Sequence, residues 1–406
     1  MATSIHLTEI YQRKLNFLIG SGASSGLFPT LWLPLIDSDD ETKNETIETL
    51  ATKLDKLAEK DSRYKNHHTL LFMYYYERII KPIYQFKTSD VQTVQKHQCT
   101  GEPNCKTCEE FNTKKNVLIN YEAFIESIIR LLQQKKHFEK RCNLFTTNYD
   151  GCIPLIADEL IKKGHLEFHL NDGASGFIER TLSARNFNYY LCQTGVFGRN
   201  SSDIPQINFI NLHGSGYWLK SEDTIKVDYN NLEHTVVIPE TAKEALEQFD
   251  EIINHKNKKT TDLTESQFEL NENDRDAFWN TYNKLPIVNP TKWKFHETVF
   301  EEHYYQMLRL LSYSLEEQNS VLISFAFSFA DEHIRNLVKR SFSNHSLQVF
   351  ICCFNEKEHK AMQEFFGGYK NVTLIHFEEK VLDFTAFNTD VFNAEILRDV
   401  TLWALT

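Results

Sequence analysis

Three short segments of the 406-residue chain carry groups whose types and spacing suit chemistry on a nucleotide. Gly20-Ser21-Gly22-Ala23-Ser24 follows an apolar run, where glycines let the backbone approach a pyrophosphate and present N–H groups to it. Thr146-Thr147-Asn148-Tyr149-Asp150 ends a second apolar run and offers an amide and a carboxylate at the edge of a sheet. Leu212-His213-Gly214 ends a third, placing an imidazole beside backbone that can yield to a substrate, in the pKa range of a general base. Each has a plainer reading. The glycine spacing is not a full GxGxxG and suits a structural loop equally. Asn148 and Asp150 suit capping of the helix that begins near Pro154. His213 is one of sixteen histidines.

These groups need a sheet to hold them. Lys14-Leu15-Asn16-Phe17-Leu18-Ile19 reads as a buried parallel strand feeding the glycine turn, with the next helix N-terminus favouring negative charge. CNLFTTNYD, then PLIADELIKK with Pro154 in its first turn and Gly164 as a stop, reads as one strand and helix. Residues 183–237 carry the aromatic and β-branched runs NFNYYLC, INFINLHGS and TIKVDY, which read as extended. After Pro286, helix and strand alternate: HETVFEEHYYQMLRLLSYSLEE, SVLISFAF, DEHIRNLVKRSF, LQVFICCF, EKEHKAMQEFFGG and NVTLIHF. That alternation predicts an α/β fold, a Rossmann-like parallel sheet with helices on both faces. The core spans 1–38, 141–238 and 286–406. A helical insertion occupies 39–140, carried by ETIETLATKLDKLAEK, HHTLLFMYYYERIIKPIYQF and YEAFIESIIRLLQQKKHF, and a smaller charged, mostly helical one occupies 239–285. Tyr74-Tyr75-Tyr76 reads as packing surface, because it lacks the interleaved Lys and Arg of a base-stacking platform.

Composition bounds the partners. A formal charge of −12 argues against a broad phosphate-binding surface, so nucleic acid is not an expected partner. The N-terminal stretch lacks a signal-peptide core and no apolar run approaches the roughly 18 residues of a membrane span, so a cytoplasmic location is expected. Eight cysteines are too few for a disulfide scaffold, and reduced thiols fit that compartment. Cys99, Cys105 and Cys108, with His97 beside them, form the one metal-like cluster; structural zinc there is the lesser reading against unliganded loop thiols, and no metal is expected.

Taken in order, the three segments resemble the sirtuin superfamily, and more closely its bacterial sirtuin-like NAD-cleaving branch of anti-phage defence systems. The resemblance runs from Phe17 to about Ile334. GSGAS matches the family's GAGxS phosphate turn, Asn148 and Asp150 its nicotinamide-pocket motif, and His213 its catalytic histidine. Ser324-Phe325-Ala326-Phe327-Ser328-Phe329-Ala330-Asp331-Glu332-His333-Ile334 looks like the branch's ribose-contacting strand and turn, commonly G-Y/F-S-F-x-D-x-H-I, from which Ala326 departs slightly. The zinc ribbon of the deacylases is missing, since no cysteine lies between Cys192 and Cys352. Their GIPDFR is replaced by Gly26-Leu27-Phe28-Pro29-Thr30-Leu31-Trp32, which makes acyl-lysine transfer doubtful.

The resemblance implies NAD as substrate in a cleft between the core and the first insertion, cleaved to nicotinamide and ADP-ribose, with a cyclic product left open. Asn148 would position water or a ribose hydroxyl, His213 accept a proton, and Asp150 contact the nicotinamide end. Gly20, Ser21, Gly22 and Ala23 would contact phosphate, with Thr147 and Gly214 beside the ligand and Ser328 and Asp331 near the adenosine-side ribose. It further implies a homo-oligomer or a ring-shaped ATPase partner of the HerA type, holding an NAD-depleting activity until infection triggers it. A non-catalytic NAD or ADP-ribose sensor and a divergent deacylase remain as alternatives.

Overall fold

The computed structural model describes residues 5–96, 106–135, 140–198, 201–221, 224–230, 236–289 and 298–394. Seven strands form one all-parallel sheet: β1 (Lys14–Ile19), β2 (Arg141–Thr146), β3 (His169–Asn171), β4 (Gln206–Asn211), β5 (Ser320–Phe325), β6 (Gln348–Cys352) and β7 (Val372–Ile375). Their order across the sheet is β7-β6-β5-β1-β2-β4-β3. The early strands are laid down to one side of β1 and the late ones to the other. The order therefore reverses at the β1–β5 boundary, and such a switch point opens a crevice at the carboxyl ends of the strands.

Strand side chains alternate between two faces, and each face has its own cover. Leu18, Phe145, Ile210 and Leu322 pack with Met307 and Leu311 of helix Thr298–Glu316, Ile334 and Val338 of Glu332–Ser341, and Phe366 of Glu356–Phe366. Phe17, Leu144, Phe209 and Ile323 belong to the opposite core, with Phe124 and Ile128 of helix Lys106–Gln133 and Ile156 of Cys152–Lys163. Helices thus cover both faces, as the alternation requires.

The two insertions meet in space. A hairpin, Trp32–Ile36 with Asn44–Thr46, opens the first and straddles the expected boundary at residue 39. Ile36 N donates to Lys258 O at 2.9 Å, and Thr260 Oγ1 donates at 2.7 Å to the fully buried Glu45, which also pairs with the half-buried Lys53 at 2.9 Å and accepts from Thr49 Oγ1. Trp279 Nε1 donates to Thr69 Oγ1 at 3.0 Å. Helix Tyr64–Tyr75 continues into Lys81–Gln85 through a π-helical turn at Tyr76–Ile80. Pro82, which cannot donate the next helical hydrogen bond, is the local cause.

Three expectations need correction. No long helix follows the glycine turn: Ser21–Ser24 makes a single 3₁₀ turn, and Gly26, at φ +95°, sends the chain outward to the hairpin. A helix dipole therefore does not act there. NFNYYLC is not continuously extended, because Ala184–Asn188 coils into a 3₁₀ turn. The Asn186 side chain donates to Gly173 O at 2.9 Å while its carbonyl accepts from Asn171 Nδ2 at 2.9 Å, bonds that compete with a strand ladder. Finally, Cys108 is disulfide-bonded rather than a reduced thiol, whereas Cys142, Cys152, Cys192, Cys352 and Cys353 are free. His97, Cys99 and Cys105 lie outside the described residues.

Candidate functional site

The loops after β1, β2, β4 and β5 converge on a cavity of about 660 Å³, within the range of small-molecule sites. Helix Lys106–Gln133 of the first insertion contributes Thr113, Asn116 and Asn120 to its lining. The cleft expected between core and insertion is present.

Gly20 sits where the β1 and β5 loops touch. A Cβ there would lie 2.2 Å from Ala326 O, so this close approach admits only glycine. Ala326 itself, at the cavity wall, has φ +55°, and Phe329, three positions on and buried in the core, has φ +54°, two non-glycine residues in the left-handed region of one loop. Such a conformation costs of order 1–3 kcal/mol and persists where surrounding packing enforces it.

The second segment is tied to the glycine turn by a buried network. Ser24 Oγ donates to Asp150 Oδ2 at 2.6 Å and shares a 2.7 Å hydrogen bond with Tyr121 OH. Asn148 Nδ2 donates to the same Ser24 Oγ at 3.4 Å. Asp150 Oδ1 accepts from Cys152 N at 3.1 Å, so the capping reading holds for this residue beside any other role. Asn148 caps nothing. Its backbone is fixed by Thr146 Oγ1, which accepts from Asn148 N at 3.0 Å, and by Asn211 Nδ2, which donates to Asn148 O at 3.3 Å. Its side-chain Oδ1 is buried and has no hydrogen-bond partner. Burial pushes the Tyr121 hydroxyl and the Cys152 thiol well above their ordinary values, so both stay neutral beside Asp150.

The third segment meets the loop after β5. His213 Nε2 lies 2.9 Å from Asp331 Oδ2, with both side chains less than a tenth exposed. Asp331 Oδ1 meanwhile accepts from His333 N at 2.9 Å and Ile334 N at 3.1 Å, capping helix Glu332–Ser341. The cap holds the carboxylate in place, and the carboxylate orients the imidazole. The His213 backbone is pinned from outside by Val288 N, which donates to its carbonyl at 2.8 Å.

Ser21, Gly22, Ala23, Thr147, Asn148, Asp150, His213, Ser328 and Asp331 all line the cavity. Gly20 and Gly214 do not: Gly20 is a packing residue, and Gly214, at φ +87°, pairs with Ile287 in a short bridge. The structure adds Ser24, Tyr121, Val288, Glu358 and Asp383 to the site. Tyr121 lies within an amphipathic helix, where nothing in the apolar pattern marks one ring out from its neighbours. No family model matches the chain, and no curated protein matches it.

Proposed function

We propose that the cleft binds NAD and that the chain hydrolyses the bond between nicotinamide and ribose. One observation carries the reading: Asn148, Asp150 and His213 line a single cavity with Ser21, Gly22 and Ala23, and Asn148 Oδ1 is a buried acceptor left without a partner. A buried unpaired acceptor is costly in a finished core and useful where a hydroxyl or water is to be received.

In this scheme the C1′–N bond breaks with its electron pair passing to the pyridinium ring, so nicotinamide leaves neutral and the ribose carbon gains oxocarbenium character. Asn148 Oδ1 accepts from the incoming water or a ribose hydroxyl and fixes its place. Water adds at C1′ and loses one proton to His213; the products are nicotinamide, ADP-ribose and that proton. With Nε2–H donating to Asp331, Nδ1 is the basic nitrogen, and the carboxylate stabilises the imidazolium that forms. Asp150, already holding Ser24 and Cys152, shapes the nicotinamide end, while the backbone of the glycine turn meets the phosphates through its N–H groups. Asp331, with one oxygen in the helix cap and the other on His213, serves the imidazole more directly than a ribose.

We place this activity under restraint, released through self-association or a ring-shaped ATPase partner in a cytoplasmic defence response. Purified chain, alone and with such an ATPase, is incubated with NAD and the products are identified by mass spectrometry. Nicotinamide and ADP-ribose in equal amounts are expected. NAD retained by the protein but never cleaved would replace the reading with a sensor, and transfer of an acyl group from a lysine peptide would replace it with a deacylase.

A further inference from the structure

We propose that Glu356, His359 and His376 form a binding site for one divalent transition-metal ion of the zinc, cobalt or nickel kind. The site lies outside the network of Asn148 and His213. Glu356 is the first residue of helix Glu356–Phe366, and His359 follows it at i+3 on the same helix face. Asn355 fixes that first turn, its side chain accepting from Glu358 N at 3.0 Å. His376 directly follows β7, whose parallel pairing with β6 carries it to the same edge of the sheet.

The fold thus brings three donors from two elements to one place. A nitrogen from each imidazole and a carboxylate oxygen lie within 4.8 Å of one another. Glu356 Oε2 is 3.2 Å from His376 Nε2 and 3.9 Å from His359 Nδ1, and the two rings stack with centroids 3.8 Å apart at 18°. The other carboxylate oxygen, Oε1, faces Lys360 Nζ at 3.5 Å, so the lysine does not occupy the oxygen that faces the histidines. Donors around a tetrahedral ion with bonds of about 2.0–2.2 Å sit roughly 3.3–3.6 Å apart. The Glu356 Oε2–His376 Nε2 separation of 3.2 Å is already close to that spacing, whereas the 3.9 Å to His359 Nδ1 and the stacked rings require one imidazole to turn so that both nitrogens aim at one ion.

The donor set selects the ion. Two imidazoles and one carboxylate suit zinc, cobalt or nickel, whereas magnesium and calcium favour oxygen ligands. The imidazoles are 24% and 17% exposed and Glu356 59%, so an ion has an entry path and its remaining position stays open to water. The same helical turn carries Glu358, which with Phe354 lines the large cavity. A bound ion would pin that turn to the end of β7 and stiffen one cavity wall.

The test uses tag-free full-length chain, stripped with chelator, titrated separately with Zn²⁺ and Co²⁺, and passed over gel filtration before elemental analysis. One retained ion per chain is expected, with ligand-field absorption in the Co²⁺ form. His376→Ala and Glu356→Gln should each weaken binding by more than about tenfold, a loss already typical of disturbing outer partners of a metal site. The chain carrying Cys99→Ser, Cys105→Ser and Cys108→Ser should bind as the wild type does. Wild-type chain that retains no ion overturns the proposal, as does binding that survives both ligand variants or disappears with the cysteines. Because Glu356 is largely exposed, Glu356→Gln keeps the test decisive if His376→Ala does not fold.

Discussion

The same sheet organises two bands of polar side chains, one across its strands and one at its carboxyl edge, and they are built on opposite plans. Near its middle, Asn16, Asn143, Asn208 and Asn171 stand in register on β1, β2, β4 and β3. Each amide hands on to the next: Asn171 Nδ2 donates to Asn208 Oδ1 at 3.2 Å, Asn208 Nδ2 to Asn143 Oδ1 at 2.9 Å, and Asn143 Nδ2 to Asn16 Oδ1 at 2.9 Å. The ladder closes on the backbone, with Asn16 Nδ2 reaching Val321 O at 3.3 Å and Gly173 N donating to Asn171 Oδ1 at 3.0 Å. In the loop just beyond β2, at the carboxyl edge of the sheet, Asn148 has the same side chain and a different fate. Its Oδ1 has no partner and its residue lines a cavity. Polar burial that satisfies itself fixes register, since a one-residue slip would break every rung. Polar burial left open beside the large cavity leaves an acceptor available to a molecule bound there.

That contrast can be broken from either side. The largest effect is expected at the open band: His213→Ala or Asn148→Ala should lower NAD cleavage by about 10²–10⁴-fold, the span of a lost acid–base or positioning group, with little change in melting temperature. A variant that melts early would place these residues with the ladder. Asn208→Ala should do the reverse, costing about 2–4 kcal/mol of stability in chemical denaturation through orphaned amides and lost volume, while turnover per folded chain is kept. Asp331→Asn separates the two roles of one carboxylate. Asparagine caps a helix nearly as well as aspartate, so stability should move by less than about 1 kcal/mol. Its amide cannot orient and stabilise the imidazole in the same way, so cleavage should fall by about tenfold or more, an effect read from the pH–rate profile. Smallest of all, Ala326→Gly relieves a left-handed φ but adds unfolded-state entropy, and thermal denaturation should place the net within about 1 kcal/mol.

Much of this was legible in the residues. Apolar runs at β1, β2 and β4–β7 and the amphipathic stretches between them announce a parallel sheet covered on both faces, because burial on two sides demands such runs. The sequence also marked the strand-end positions of Asn148, Asp150 and His213, since polar groups interrupting an apolar run stand out. Pairings over long separations were not legible. His213 and Asp331 are 118 residues apart, and Ser24 meets Asp150 across 126, with nothing local at either end to signal the partner. The asparagine ladder escaped for the same reason: Asn16, Asn143, Asn171 and Asn208 are ordinary single polar residues until the register lines them up. The helix expected after the glycine turn failed on local grounds, because Gly26 and Pro29 redirect the chain before a second helical turn can form.

The most direct measurement is nicotinamide release per folded chain from three proteins side by side: wild type, Asn148→Ala and Asn208→Ala, each with NAD and the same activating partner. Wild type and the ladder variant should release nicotinamide at matching rates, and Asn148→Ala should release almost none. Equal rates in all three, or loss in the ladder variant with activity kept in Asn148→Ala, would contradict the assignment of chemistry to the open band.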